Sequence, residues 1–137
     1  MTTHILALEK DLFFAVKIRD TLRHHEMEAQ TVRTLEKFAQ GLTATDEGKP
    51  ALVIVDIAIQ GVDWEEAIRL ARANGYPVLA FGSHMDLEAR ARALQAGARR
   101  VVANSKFAKD MPGLIRRMLS EPEAVPADES DIDEDEE

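Results

Sequence analysis

The sequence predicts an α/β fold built on a five-stranded parallel sheet with helices on both faces. Three observations lead there. Short apolar runs recur five times along the chain. Each is followed by a stretch with apolar residues at helical spacing. The connections are short, which suits strand–helix–strand crossovers of one hand.

The elements follow in order. Ile5–Leu8 reads as a buried strand. Asp11 stands where an N-cap belongs, and Leu12, Phe14 or Ala15, Ile18 and Leu22 then mark a helical face. Met27–Val32 is a weaker strand, and Thr34 caps a helix expected to reach about Thr45. Residues 46–50 form a loop rich in Asp, Gly and Pro. Ala51–Val55 is apolar and β-branched, the pattern of a strand buried on both faces, and Asp56 ends it. Asp63 caps a helix through Asn74 that stops at Gly75. Pro77–Phe81 is the fourth strand, with a turn at Gly82-Ser83-His84. Asp86 caps Leu87–Ala96, which Gly97 closes. Val101–Ala103 is the last strand and Phe107–Leu119 the last helix, with Asp110 as its cap because Pro112 lies just inside.

Charge divides the chain. Its 137 residues carry 25 acids and 17 bases, a formal charge of −8. Residues 121–137 hold 10 of the acids and no base, which leaves the preceding 120 residues at +2. We therefore expect a domain over 1–120 and an acidic, disordered tail over 121–137. The chain has no cysteine, which excludes disulfides, thiolate metal sites and a cysteine nucleophile. The longest apolar run, Ala51–Ile59, is broken by Asp56 and falls short of the roughly 18 residues of a membrane helix. Ile5–Leu8 is too short for a signal peptide. A soluble cytoplasmic protein is expected, with no membrane contact.

In a parallel sheet, chemistry collects beyond the C-terminal strand ends. Those ends are Glu9-Lys10, Asp56, Gly82-Ser83 and Asn104-Ser105. Three segments here resemble the receiver domain of bacterial response regulators: ILALEKDLFFAVKIRDTL (5–22), LVIVDIAIQGVDWEEAIRLARA (52–73) and PVLAFGSHMDLEARARALQAGARRVV (77–102). The resemblance covers about residues 3–119 and implies a flavodoxin-like sheet of order 2-1-3-4-5 with five helices. It places Asp56 at the phospho-acceptor position and Glu9 at the first acidic position. Lys10 stands where the family carries its main metal-binding aspartate, Gly82 where it carries a serine or threonine, and Asn104 where it carries a lysine.

These replacements change the electrostatics. Three carboxylates would total −3, whereas Glu9, Lys10 and Asp56 total −1, a poor cage for Mg²⁺. An ammonium about 4 Å from a carboxylate contributes on the order of 4 kcal/mol at a surface-like dielectric, so Lys10 is expected to neutralise Asp56. Gly82 has no hydroxyl, and Asn104 has no charge to pair with a phosphoryl group. Restoring the missing groups would take Asp11, Ser83 and Lys106 through one- or two-residue loop shifts.

The region 86–119 carries Arg90, Arg92, Arg99, Arg100, Lys106, Lys109, Arg116 and Arg117 against Asp86, Glu88 and Asp110. The resemblance makes this the partner or dimer face, and Arg99-Arg100 stand where many relatives carry acids used in dimer salt bridges. A plain solvated face, with arginine stems over apolar surface, is the alternative. The acidic tail is either a solvated extension or a latch on this basic face. His24-His25 suit the negative end of the first helix, and His84 reads as a loop histidine. Trp64 either covers the pocket mouth or anchors a partner, with partial burial as the alternative.

The expected function is a stand-alone atypical receiver, not an enzyme, that signals by binding a protein partner or a second copy through 86–119 without phosphorylation. No cofactor and no nucleic acid are expected. A second reading keeps Asp56 as a working phospho-acceptor with Mg²⁺, for which Glu9 and Asp56 are the only ligands in place. A third is a small-ligand or anion sensor using Lys10, Asn104 and Ser105.

Overall fold

The computed structural model describes residues 2–44, 48–82 and 86–121. Strands β1 (Thr3–Leu8), β2 (Met27–Val32), β3 (Leu52–Asp56), β4 (Val78–Gly82) and β5 (Arg100–Ala103) alternate with helices α1 (Leu12–Arg23), α2 (Leu35–Leu42), α3 (Trp64–Ala73), α4 (Leu87–Ala96) and α5 (Asn104–Ser120). All strand pairs are parallel, in the order β2-β1-β3-β4-β5. This is the predicted architecture.

Side chains alternate across each strand, so the sheet buries two separate cores. Leu6, Leu8, Val53, Val55, Val78 and Ala80 face α2, α3 and α4, meeting Phe38, Ile68 and Ala93. Ile5, Ala7, Leu52, Ile54, Leu79 and Phe81 face α1 and α5, meeting Ile18, Leu22, Phe107 and Ile115. Four helices start on the caps read from the sequence. Asp11 accepts from the amides of Phe13 and Phe14, Thr34 from Lys37, Asp63 from Glu66 and Asp86 from Ala89.

The last helix departs from expectation. It starts at Asn104, directly after β5, three residues before the predicted Phe107. It is also broken at Asp110, whose φ of −144° and ψ of 42° are not helical. Pro112 has no amide hydrogen and its ring opposes the preceding turn, so the helix restarts at Met111. Asp110 then occupies a cap position inside the element, and its carboxylate lies over Gly113. A Cβ at Gly113 would come within 2.5 Å of both carboxylate oxygens. Smaller differences also occur. β3 retains Asp56 as its last residue, β4 extends to Gly82, and α2 ends at Leu42. Thr45, Ser83 and His84 lie outside the described residues, as do residues 122–137.

Candidate functional site

Strand register builds the site. Leu8 pairs with Val55, so the next residues, Glu9 and Asp56, emerge side by side at the C-terminal edge of the sheet. Glu9 is 2% exposed and Asp56 is half-buried. The two carboxyls lie close enough to shift each other's titration. Two charges this close in a buried setting are costly, so burial favours a proton on one of them. Burial pushes the Glu9 carboxyl up to about 8, reinforced by the hydrogen bond to Asp56 and by the charge of Asp56. Asp56 is also raised by burial, but the hydrogen bonds from Glu9 and from the Ala58 amide act the other way. At neutral pH, Glu9 is thus the acid that donates and Asp56 the carboxylate that accepts. The surrounding bonds fit this assignment. Asp56 Oδ1 accepts from the Ala58 amide at 2.8 Å, and Glu9 Oε2 accepts from the Asp11 amide at 3.1 Å.

Lys10 does not neutralise Asp56. It is exposed, and its Nζ donates to the Gln60 carbonyl at 3.0 Å. Neighbouring residues leaving a strand point to opposite sides. With Glu9 turned inward, Lys10 turns outward and ties β1 to the loop before α3. A proton on Glu9, rather than an ammonium, balances Asp56.

Glu9, Asp56, Gly82 and Asn104 line a cavity of about 160 Å³ with Asp11, Phe14, Ala58 and Phe81. Asn104 is exposed at the first position of α5. The sequence reading had not placed Phe14, Phe81 and Ala58 there, and had treated Asp11 only as a cap and a loop-shift substitute. The aromatic floor is continuous. Phe81 stacks on Phe107 with centroids 4.3 Å apart, and Phe14 lies 5.5 Å from Phe81 and 6.0 Å from Phe107. Apolar periodicity marks these residues as core, but it does not say which of them reach the strand end.

The donor set does not fit a divalent cation. Asp11 directs one carboxylate oxygen to the α1 amides, burial favours a proton on Glu9, and Lys10 faces away. Among the described residues, no group of three or more His, Cys, Asp or Glu side chains could hold a metal ion. An anion fits no better, because the cavity wall carries Glu9, Asp11 and Asp56 while Lys10 lies outside it. The anion-sensor expectation thus loses its cation.

Gly82 is closed as well as bare. A Cβ there would lie 2.7 Å from Ile57 Cγ1, an atom close to the backbone of a buried residue. The position has no room for a hydroxyl-bearing side chain unless Ile57 moves.

On the 86–119 face, Arg92, Arg99 and Arg100 are committed within the fold. Arg92 forms a two-pronged pair with Glu65, at 2.8 and 3.2 Å, and lies 5.0 Å over the Trp64 ring. This holds the exposed Glu65 carboxyl below its usual range. Trp64 is 8% exposed, packs against Arg92 of α4 and does not line the strand-end cavity. Arg99 donates to the Met118 carbonyl at 3.0 Å, and Arg100 pairs with Glu121 at 2.8 Å. Lys109 is exposed, whereas Arg90 and Lys106 are half-buried. Among the described residues, the most exposed large apolar side chain is Phe13 on α1, at 91%.

No protein-family model and no curated protein matches the sequence. Solved structures do match the fold. A response regulator receiver protein from Burkholderia phymatum superposes with a TM-score of 0.75 at 24% identity, covering 90% of this chain and 100% of its own. A LuxR-family two-component response regulator from Aurantimonas sp. SI85-9A1 gives 0.78 at 19% identity, covering 98% and 95%. A CheY-like receiver domain protein from Methanospirillum hungatei gives 0.74 at 17%, covering 87% and 94%. The chain therefore has the fold of response-regulator receiver domains.

Two outcomes follow from this geometry. The folded chain keeps the Glu9 proton up to about pH 8, whereas the unfolded chain releases it near 4.5. Stability is therefore full below about pH 4.5 and falls as pH rises towards 8. Urea unfolding of Glu9→Gln and the native chain should agree at the acidic end, with the variant more stable at pH 8. A pH-independent difference between the two would exclude the raised carboxyl. Gly82→Ser should cost about 1–3 kcal/mol by overpacking. That cost should shrink in an Ile57→Ala background, and equal costs in both backgrounds would acquit Ile57.

Proposed function

We propose that this chain is an atypical receiver domain, a signalling module that binds protein partners without an aspartyl-phosphate switch. The observation carrying this reading is the juxtaposition of the Glu9 and Asp56 carboxyls at the strand ends, with Lys10 turned away to the Gln60 carbonyl. Phosphoryl transfer to an aspartate needs a free carboxylate and a cation that bridges the transferring oxygens. Here Asp56 already accepts from the Ala58 amide, and among the described residues no group of three or more His, Cys, Asp or Glu side chains is placed to hold a metal. Downstream parts of a switch are altered too. The Gly82 position is closed by Ile57, and Asn104 supplies no charge. Side-chain chemistry at a site, rather than the fold around it, sets what a domain does.

Under this reading the module has no catalytic step and needs no cofactor. Its body spans about residues 1–120, with the acidic segment beyond it. No helix among the described residues is long and apolar enough to cross a membrane, and a cytoplasmic setting suits the absence of cysteine. Lys109, exposed on the predicted face, and the half-buried Arg90 are the residues that we assign to partner contact, since Arg92, Arg99 and Arg100 hold the fold together.

Incubation with a small acyl phosphate and Mg²⁺, followed by intact-mass measurement, tests the proposal. The expected result is an unchanged mass. A gain of one phosphoryl group that Asp56→Asn abolishes would establish Asp56 as a working acceptor and overturn it.

A further inference from the structure

The opposite charges of the body and its extension come together where α5 ends. Glu121 is the last described residue, and its carboxylate lies 2.8 Å from Arg100, with both side chains largely buried. This fixes where the acidic segment leaves the fold. Beside that point lies a cavity of about 370 Å³ between the end of α5 and the α1–β2 turn, lined in part by His25, Met27, Arg116, Leu119 and Ser120.

The lining has cationic and apolar character. Arg116 is exposed and contacts His25 Nδ1 at 3.1 Å, with no carboxylate within ion-pair distance among the described residues. Arg117 reaches Asp110 only at 3.9 Å, with both side chains more than half exposed, so that pair is weak. Leu119 is 40% exposed. Glu26 is the one carboxylate on the cavity wall.

Residues 122–137 complement this surface. They carry nine acids and no base, with Val125 and Ile132 as apolar residues among them. Val125 follows Leu119 by six residues, and extended chain spans at most about 3.5 Å per residue, so the segment can turn back over the cavity. Each exposed ion pair contributes little alone. A short tether nevertheless presents the acids at an effective concentration in the millimolar range, and several weak contacts then act together.

We propose that residues 122–137 dock in cis on the surface formed by the cations Arg116 and Arg117 with His25 and Leu119 at the end of α5. The docked segment would compete with any acidic partner for the exposed bases of α5. This inference stands independently of the phosphorylation state of Asp56.

The absence of native cysteine permits a clean test in the full chain. Ser130→Cys carries a single nitroxide label, and paramagnetic broadening is read on the backbone amides. At low ionic strength, amides at Arg116–Ser120 and His25–Met27 should lose intensity several-fold more than the rest of α5. At about 0.5 M salt, where the screening length is about 4 Å, the loss should largely disappear. Arg116→Gln with Arg117→Gln should abolish it while leaving the other amide positions in place. Three results would each overturn the proposal: no localised broadening, broadening that ignores salt and both substitutions, or broadening seen only between labelled and unlabelled copies in a mixed sample.

Discussion

Parallel registry of β1 on β3 brings two acidic side chains to one edge of the sheet, and the rest of the site adjusts to them. Leu8 opposite Val55 leaves no other place for Glu9 and Asp56 to go. Burial makes two charges there costly, so the lower-energy arrangement is one proton shared through a hydrogen bond. Once the proton is in place, Lys10 is not needed at the carboxylates. It instead joins the end of β1 to the Gln60 carbonyl. Asp11 is likewise released to cap α1. One protonation thus accounts for three side-chain placements.

Steric closure at Gly82 belongs to the same pattern. Ile57 follows Asp56 directly, donates its amide to the Phe81 carbonyl and fills the space where a larger residue at position 82 would stand. Phe81, Phe14 and Phe107 form an aromatic floor beneath. The strand-end cavity is therefore shaped by packing from below and by hydrogen-bonded carboxylates from the side.

The fold was legible because its signals are local. Five apolar runs, and four caps at Asp11, Thr34, Asp63 and Asp86, each depend on residues within one turn of each other. The strand ends were legible for the same reason, and Glu9, Asp56, Gly82 and Asn104 do share a cavity. Side-chain direction was not legible. Whether Lys10 points towards Asp56 depends on which neighbour the sheet turns inward. The commitment of Arg92 to Glu65 and Trp64 depends on how α3 meets α4, a contact between residues 27 positions apart. The break in α5 was half legible. Pro112 announced an interruption and Asp110 its cap, but the helical turn from Asn104 to Lys109 carries no start signal, since Ala103 makes no side-chain cap.

The central claim is that a proton on Glu9 balances Asp56. A ¹³C-NMR titration of the side-chain carboxyl carbons reads that proton directly. The account predicts that one glutamate, assigned to Glu9, titrates near pH 8, apart from the exposed glutamates, and that Asp56→Asn moves its midpoint down because the charge it faces is gone. A Glu9 resonance that titrates with the exposed glutamates near pH 4.5, in the native chain, would contradict it.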